Sequence, residues 1–171
     1  MSIIIEHLKK EDHLKYRKIR LAFLHNDPTV SGNSYEEESK KTDEEWLTEM
    51  EELFENEQAI IWIAKDGDEI IGTAVSTRDK SPKLRHSVFI MRLFVKDIYR
   101  GQGIGKRLFS SLMQEIESDK SVVKIKLDVT ATLKSAIGLY KSLGFEQVGL
   151  LKKEYFVNGE YYDVFEMEKC L

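Results

Sequence analysis

Three glycines alternate in Val95-Lys96-Asp97-Ile98-Tyr99-Arg100-Gly101-Gln102-Gly103-Ile104-Gly105-Lys106, and this stretch constrains the fold more than any other. It follows Val88 to Val95, a nearly continuous apolar run that suits a strand covered on both faces. It precedes Ile104, Leu108, Leu112 and Ile116, whose spacing marks one face of a long helix. A buried strand, a glycine turn and an amphipathic helix therefore follow in immediate succession. Glycine lets a backbone turn tightly and approach a ligand closely. The start of a helix offers unpaired N–H groups and a partial positive charge, which suit a phosphate. Lys106 and Arg107 add full positive charge in the first turn, where the helix dipole alone would favour acids. The combination points to a phosphate-bearing ligand.

The rest of the chain reads as strands and helices around one sheet. Ile3-Ile4-Ile5 is a short strand, and a helix covers Asp12 to His25. A second helix begins at Thr42, where Thr42-x-x-Glu45 forms a capping box and Trp46, Leu47, Met50, Leu53 and Phe54 form an apolar stripe. Strands over Gln58 to Lys65 and Glu69 to Thr77 flank the turn Asp66-Gly67-Asp68. After the glycine turn and its helix comes a strand over Val122 to Val129. A short helix then carries Ala136, Ile137, Tyr140 and Leu143 and stops at Gly144. Phe145 to Phe156 and Tyr161 to Met167 enclose Asn158-Gly159, a hairpin signal. The order is strand, two helices, a three-strand meander, helix, strand, helix, hairpin: a mixed α/β sandwich. At 171 residues one domain, 1–171, is expected.

Composition excludes several classes. The longest apolar run, Ala59 to Ala64, is far shorter than the ~20 residues of a membrane span. The N-terminus meets charge too early for a signal peptide, so a cytoplasmic location without membrane attachment is expected. Cys170 is the sole cysteine, which leaves no internal disulfide and no cysteine-rich metal site; no metal is expected. A net charge of -4 argues against a nucleic-acid partner. That average conceals a block from Glu36 to Glu57 with net charge -9, against +5 elsewhere. The block reads either as a solvated helix face or as a lure for a cationic ligand.

A dinucleotide fold would need G-x-G-x-x-G directly after its first strand. Here the pattern is G-x-G-x-G and five residues separate Val95 from Gly101, although Asp128 ends the next strand as a ribose-binding acid would. A P-loop is excluded, because no G-K-[ST] follows. Arg100-x-x-Gly103-x-Gly105 instead resembles the R/Q-x-x-G-x-G/A motif of the GNAT superfamily of acetyl-CoA-dependent N-acetyltransferases. Ala136-Ile137-Gly138-Leu139-Tyr140-Lys141-Ser142-Leu143-Gly144-Phe145 is similar to the family's second signature, A-x-x-x-Y followed by x-x-x-G-F. The two lie in the family's order and separation, and close resemblance covers Val88 to Phe145. Asp97 stands where a proline is common, and Leu133 where many members carry an asparagine that contacts the cofactor.

The resemblance implies a mixed, mostly antiparallel sheet splayed between its fourth and fifth strands and flanked by about four helices. It implies acetyl-CoA in that notch, with its pyrophosphate on Gly101, Gln102, Gly103, Ile104, Gly105 and Lys106 near Arg100. The pantetheine would pair with backbone at Leu93, Phe94 and Val95, and the Leu93 amide would polarise the thioester carbonyl. A primary amine would attack directly in a ternary complex, with Tyr140 as general acid to the departing thiolate. The base is left open among Glu36, Glu38 and His86. The acceptor is a small-molecule amine or a peptide N-terminus, and the aromatic C-terminal hairpin suggests a homodimer. A non-catalytic acyl-CoA-binding module of the same fold, or a nicotinamide-dependent enzyme, are the alternatives.

Overall fold

The computed structural model describes residues 2–55 and 59–171. Its frame is one seven-stranded sheet in the order β1-β2-β3-β4-β5-β7-β6. Strands β1 (Ile3–His7), β2 (Ala59–Asp66), β3 (Glu69–Arg78) and β4 (Ser87–Val95) pair antiparallel in succession. The expected start of β2 at Gln58 lies outside the described residues. Gly67, in the left-handed region at φ 58°, makes the tight β2–β3 turn.

β4 pairs in parallel with β5 (Lys124–Thr130). Parallel neighbours need a crossover, and α4 (Ile104–Ser118) supplies it. The terminal hairpin, β6 (Glu146–Val157) and β7 (Glu160–Cys170), folds back so that β7 lies beside β5 and β6 forms the edge. Hairpin periodicity alone does not decide which of its two strands is inner.

Both faces of the sheet are covered. On one, Ile104, Leu108, Phe109, Leu112 and Ile116 of α4 and Tyr140 of α5 (Lys134–Ser142) pack on Ile71, Ala74, Ile90, Ile125 and Leu127. On the other, Tyr16, Ile19, Phe23 and Leu24 of α1 (His13–Asn26) and Trp46 and Met50 of α3 (Asp43–Glu55) cover Ile61, Ile63, Ile70, Val75 and Phe94. Each such side chain contributes about 1.5–3 kcal/mol by leaving water.

The capping box of α3 forms reciprocally. The Thr42 amide donates to Glu45 Oε2 at 2.7 Å, and the Glu45 amide donates to Thr42 Oγ1 at 3.2 Å. Between α1 and α3 the chain makes a further single-turn helix, α2 (Tyr35–Glu38), which sequence periodicity does not predict. Ser34 caps it by accepting from the Glu37 amide at 3.1 Å. Four residues are too few for a periodic apolar signal.

Candidate active site

The β4–β5 pairing runs from Ser87↔Lys124 to Ile90↔Leu127 and stops there. Beyond it β4 continues to Val95 and β5 to Thr130, and a cleft of about 240 Å³ opens between them. The separation coincides with a bulge. Thr73 of β3 stands opposite Phe94 and Val75 opposite Met91, so β4 carries one extra residue. Arg92 lies within it at φ 55°, a left-handed conformation unusual for a non-glycine residue. A bulge bends the strand that carries it and leaves a residue outside the ladder.

The direction of the β4 amides follows from one hydrogen bond. The Lys96 amide donates to the Ile71 carbonyl at 2.9 Å, towards β3. Because directions alternate along an extended chain, the Phe94 amide shares that side, while Leu93 and Val95 face the cleft. Arg100 closes this end. Its Nε donates to the Val95 carbonyl at 3.0 Å, and Nη2 meets Asp27 at 2.5 Å and Asp97 at 2.9 Å.

The cleft continues into a hollow of about 340 Å³ lined by Gly101, Gly103, Ile104, Gly105, Lys106 and Leu139. Leu93, Phe94, Val95, Arg100, Ser135 and Ala136 line both spaces. Gly103 caps α4 at φ 76°, where a side chain would be strained. The first helical bond runs from the Arg107 amide to the Gly103 carbonyl at 3.0 Å. The amides of Ile104, Gly105 and Lys106 therefore have no partner in the helix. Lys106 lines the hollow, whereas Arg107 donates to the Ile3 carbonyl at 3.1 Å, and the Gln102 side chain to the Ile98 carbonyl at 3.3 Å.

Tyr140 and Asp128 both line the cleft. The Tyr140 ring is buried against Phe109 and Phe145, at centroid distances of 5.7 and 6.0 Å. Burial pushes its phenol up to about 12. Asp128 stands directly opposite Glu166 across β5–β7. Asp128 is exposed, and its carboxyl is raised above the usual range by partial loss of solvent first, then by the negative charges of Glu166 and Glu154. In the sequence Asp128 stood out only as an acid ending a strand.

The three candidate bases fall in three different places. Glu36 lines a neighbouring cavity of about 600 Å³ with His25, Tyr35, Glu154 and Tyr155. Glu38 is buried and accepts from Asn33 Nδ2 and Lys41 Nζ, each at 3.2 Å. His86 immediately precedes β4 at its paired end, where its carbonyl accepts from the Val123 amide at 2.9 Å. Seven residues of extended chain, about 23 Å, separate it from Leu93, so the structure does not bring it to the cleft. Leu133 lines the cleft and offers no polar contact at the start of α5. Much of the acidic block is engaged elsewhere, as Asp43 pairs with Arg17, Glu49 with Lys41 and Glu51 with Lys10. Asn56 and Glu57 lie outside the described residues.

Among the described residues, no group of three or more His, Cys, Asp or Glu side chains is placed to hold a metal ion. None of the described helices is long and apolar enough to cross a membrane.

A splayed mixed sheet with a glycine turn feeding a helix beside the opening is an acetyltransferase-like architecture, and solved structures share it. An acetyltransferase of the GNAT family from Streptococcus pneumoniae superposes with a TM-score of 0.87 at 19% identity, over 99% of this chain and 100% of that one. A putative acetyltransferase from Salmonella typhimurium, solved with its cofactor acetyl-CoA, superposes with a TM-score of 0.83 at 18% identity, over 100% of this chain and 95% of that one. N-acetyltransferase 8F1 of Mus musculus is 32% identical over 101 residues, 58% of this chain and 43% of that protein. The matched region thus spans less than half of that relative's length. The model of the acetyltransferase (GNAT) family matches residues 19–145. The chain belongs to the GNAT family.

Proposed function

We propose that the protein transfers the acetyl group of acetyl-CoA to a primary amine by direct attack in a ternary complex. The observation that carries this reading is the cleft at the β4–β5 separation, which joins free strand amides at Leu93 and Val95 to the unpartnered amides at the start of α4. A pyrophosphate fits the second set, helped by Lys106, and a pantetheine arm fits the first as an added strand.

Acetyl-CoA supplies an activated thioester carbonyl. The chain's own residues do the rest. The Leu93 amide donates to the carbonyl oxygen as negative charge develops there. Asp128, its carboxyl raised above the usual range, takes a proton from the incoming ammonium and leaves a nucleophilic amine. A new C–N bond forms, the C–S bond breaks, the Tyr140 hydroxyl gives its proton to the sulfur, and the acylated nitrogen gives up its second proton to solvent, leaving a neutral amide. Tyr140 is then reprotonated from solvent, and Asp128 releases its proton there. Cys170 has no part in this reading: it pairs with Lys124 at the far end of β5 from the cleft. The β6–β7 hairpin exposes Val148, Leu150, Phe156 and Tyr161, which supports a homodimer through it.

Thermal denaturation of the full chain with acetyl-CoA, CoA or NADH tests the ligand assignment, because a ligand of the native state raises its stability. A rise in Tm with both CoA species and none with NADH is expected. A larger rise with NADH would overturn the assignment.

A further inference from the structure

Arg20 on α1 is 4% exposed, yet two of its three guanidinium nitrogens, Nε and Nη1, have no hydrogen-bond partner. The third, Nη2, donates to Asn33 Oδ1 at 3.2 Å. A buried guanidinium with unmet donors is costly, and its neighbourhood makes the cost greater. Arg92, on the bulge of β4, lies close enough for its positive charge to disfavour the charged form of Arg20. Burial is the larger cause, and together they bring Arg20 down to about 10.

Nearby charges leave this pair unbalanced. Glu38 is the buried carboxylate close to both arginines, and its two oxygens are engaged by Asn33 and Lys41. Lys41 also pairs with Glu49. Counting Arg20, Arg92 and Lys41 against Glu38 and Glu49 leaves one positive charge unmatched. The hydrogen bond found for Arg92's side chain is a long one, 3.4 Å from Nη1 to the Tyr16 hydroxyl. Arg92 lines the cleft next to Leu93, and Asp128 lines the opposite wall. The cleft thus presents a forked cation on the β4 side and a carboxylate on the β5 side.

We infer that the acceptor is an amine that also carries a carboxylate, an amino acid, whose carboxylate is received by Arg92 with Arg20 behind it while its nitrogen faces Asp128. A planar guanidinium fork matches a carboxylate in a way that a lone ammonium does not. The anion would supply the missing negative charge beside Arg92. Arg92 directly precedes the residue proposed to polarise the thioester carbonyl, which places the carboxylate within a few bonds of the reacting nitrogen. This inference rests on the transferase reading above.

The test uses the full chain at saturating acetyl-CoA and compares amino acids with the same amines lacking the carboxylate, such as phenylalanine with 2-phenylethylamine and methionine with 3-(methylthio)propylamine. The expected kcat/KM ratio is about 10- to 100-fold in favour of the amino acid, the range of a charged hydrogen-bonded contact. Arg92→Met should raise KM for the amino acid by a similar factor, leave KM for acetyl-CoA unchanged and erase the preference. Equal or better turnover of the decarboxylated amines overturns the inference while the transferase reading stands. No turnover of any amine in either set, with acetyl-CoA bound, overturns the transferase reading itself. The comparison of paired amines uses the unaltered protein, so it stands whether or not a variant folds.

Discussion

The Thr73 hydroxyl donates a 2.7 Å hydrogen bond to the backbone carbonyl of Arg92, across the bulge where β4 parts from β5. Thr73 is buried, and Arg92 holds a left-handed backbone that a non-glycine residue adopts only at a cost of order 1–2 kcal/mol. The bond ties down the residue immediately before Leu93, whose amide faces the cleft. Thr73→Val keeps the shape and removes the donor. Turnover should fall about 10-fold, less than the ~100-fold or more seen when an oxyanion donor is lost outright, with KM for acetyl-CoA little changed. Steady-state kinetics check this, and an unaltered kcat would separate the clamp from the chemistry.

Tyr140→Phe removes one hydroxyl from a ring packed between Phe109 and Phe145. The fold should persist, while kcat falls about 100-fold, a typical effect of losing a general acid. Since burial places the phenol at about 12, Tyr140 keeps its proton across the neutral range. The wild-type rate should therefore show no loss from this group until strongly alkaline pH. Circular dichroism and a pH–rate profile of both proteins check the two statements.

Asp128 and Glu166 are directly opposed like charges, an arrangement that costs stability but raises the Asp128 carboxyl. As a base Asp128 works only when ionised, so kcat/KM should rise with pH through its elevated pKa. Asp128→Asn should remove that acidic limb and most of the rate. Glu166→Gln withdraws one negative charge, which lowers the Asp128 pKa, and the limb should move to lower pH. A shift in the opposite direction would contradict the assignment.

Asp119 ties the α4–β5 turn to β3, accepting from Ser121 and pairing with Arg78 at 2.6 Å. The Ser121 hydrogen bonds and the Arg78 bond hold its carboxyl down to about 2, against an ordinary 3.8. A depressed carboxyl stabilises the fold fully above the unfolded value and loses that contribution as pH falls through the folded one. Asp119→Asn should therefore lower Tm at neutral pH and differ progressively less from wild type between pH 4 and 2. Thermal melts across that range test it.

The fold's outline was legible because apolar spacing and turn chemistry agree along most of the chain. The run Val88–Val95, the stripe from Ile104 to Ile116 and the Thr42–Glu45 box each report local geometry, and each element formed where its signal lay. What sequence spacing does not carry is distance across the sheet. The bulge at Arg92 depends on the register with β3, and nothing in the order of β4 residues announces it. Asp128 meets Glu166 only because β7, and not β6, lies beside β5. His86 adjoins the strand that lines the cleft, but at the wrong end of it. The acidic block was visible as charge, and its Glu45 cap with it, while its use in ion pairs was not.

On the proposed function, the β4–β5 cleft passes an acetyl group from acetyl-CoA to an amine. The most direct measurement follows free thiol release from acetyl-CoA together with the mass of the amine, across a panel of amines and amino acids. One acetyl group gained by the amine for each thiol released is expected, with both lost together in Tyr140→Phe and Asp128→Asn. Tight binding of acetyl-CoA with no thiol release on any amine would contradict it and leave a binding module of the same fold.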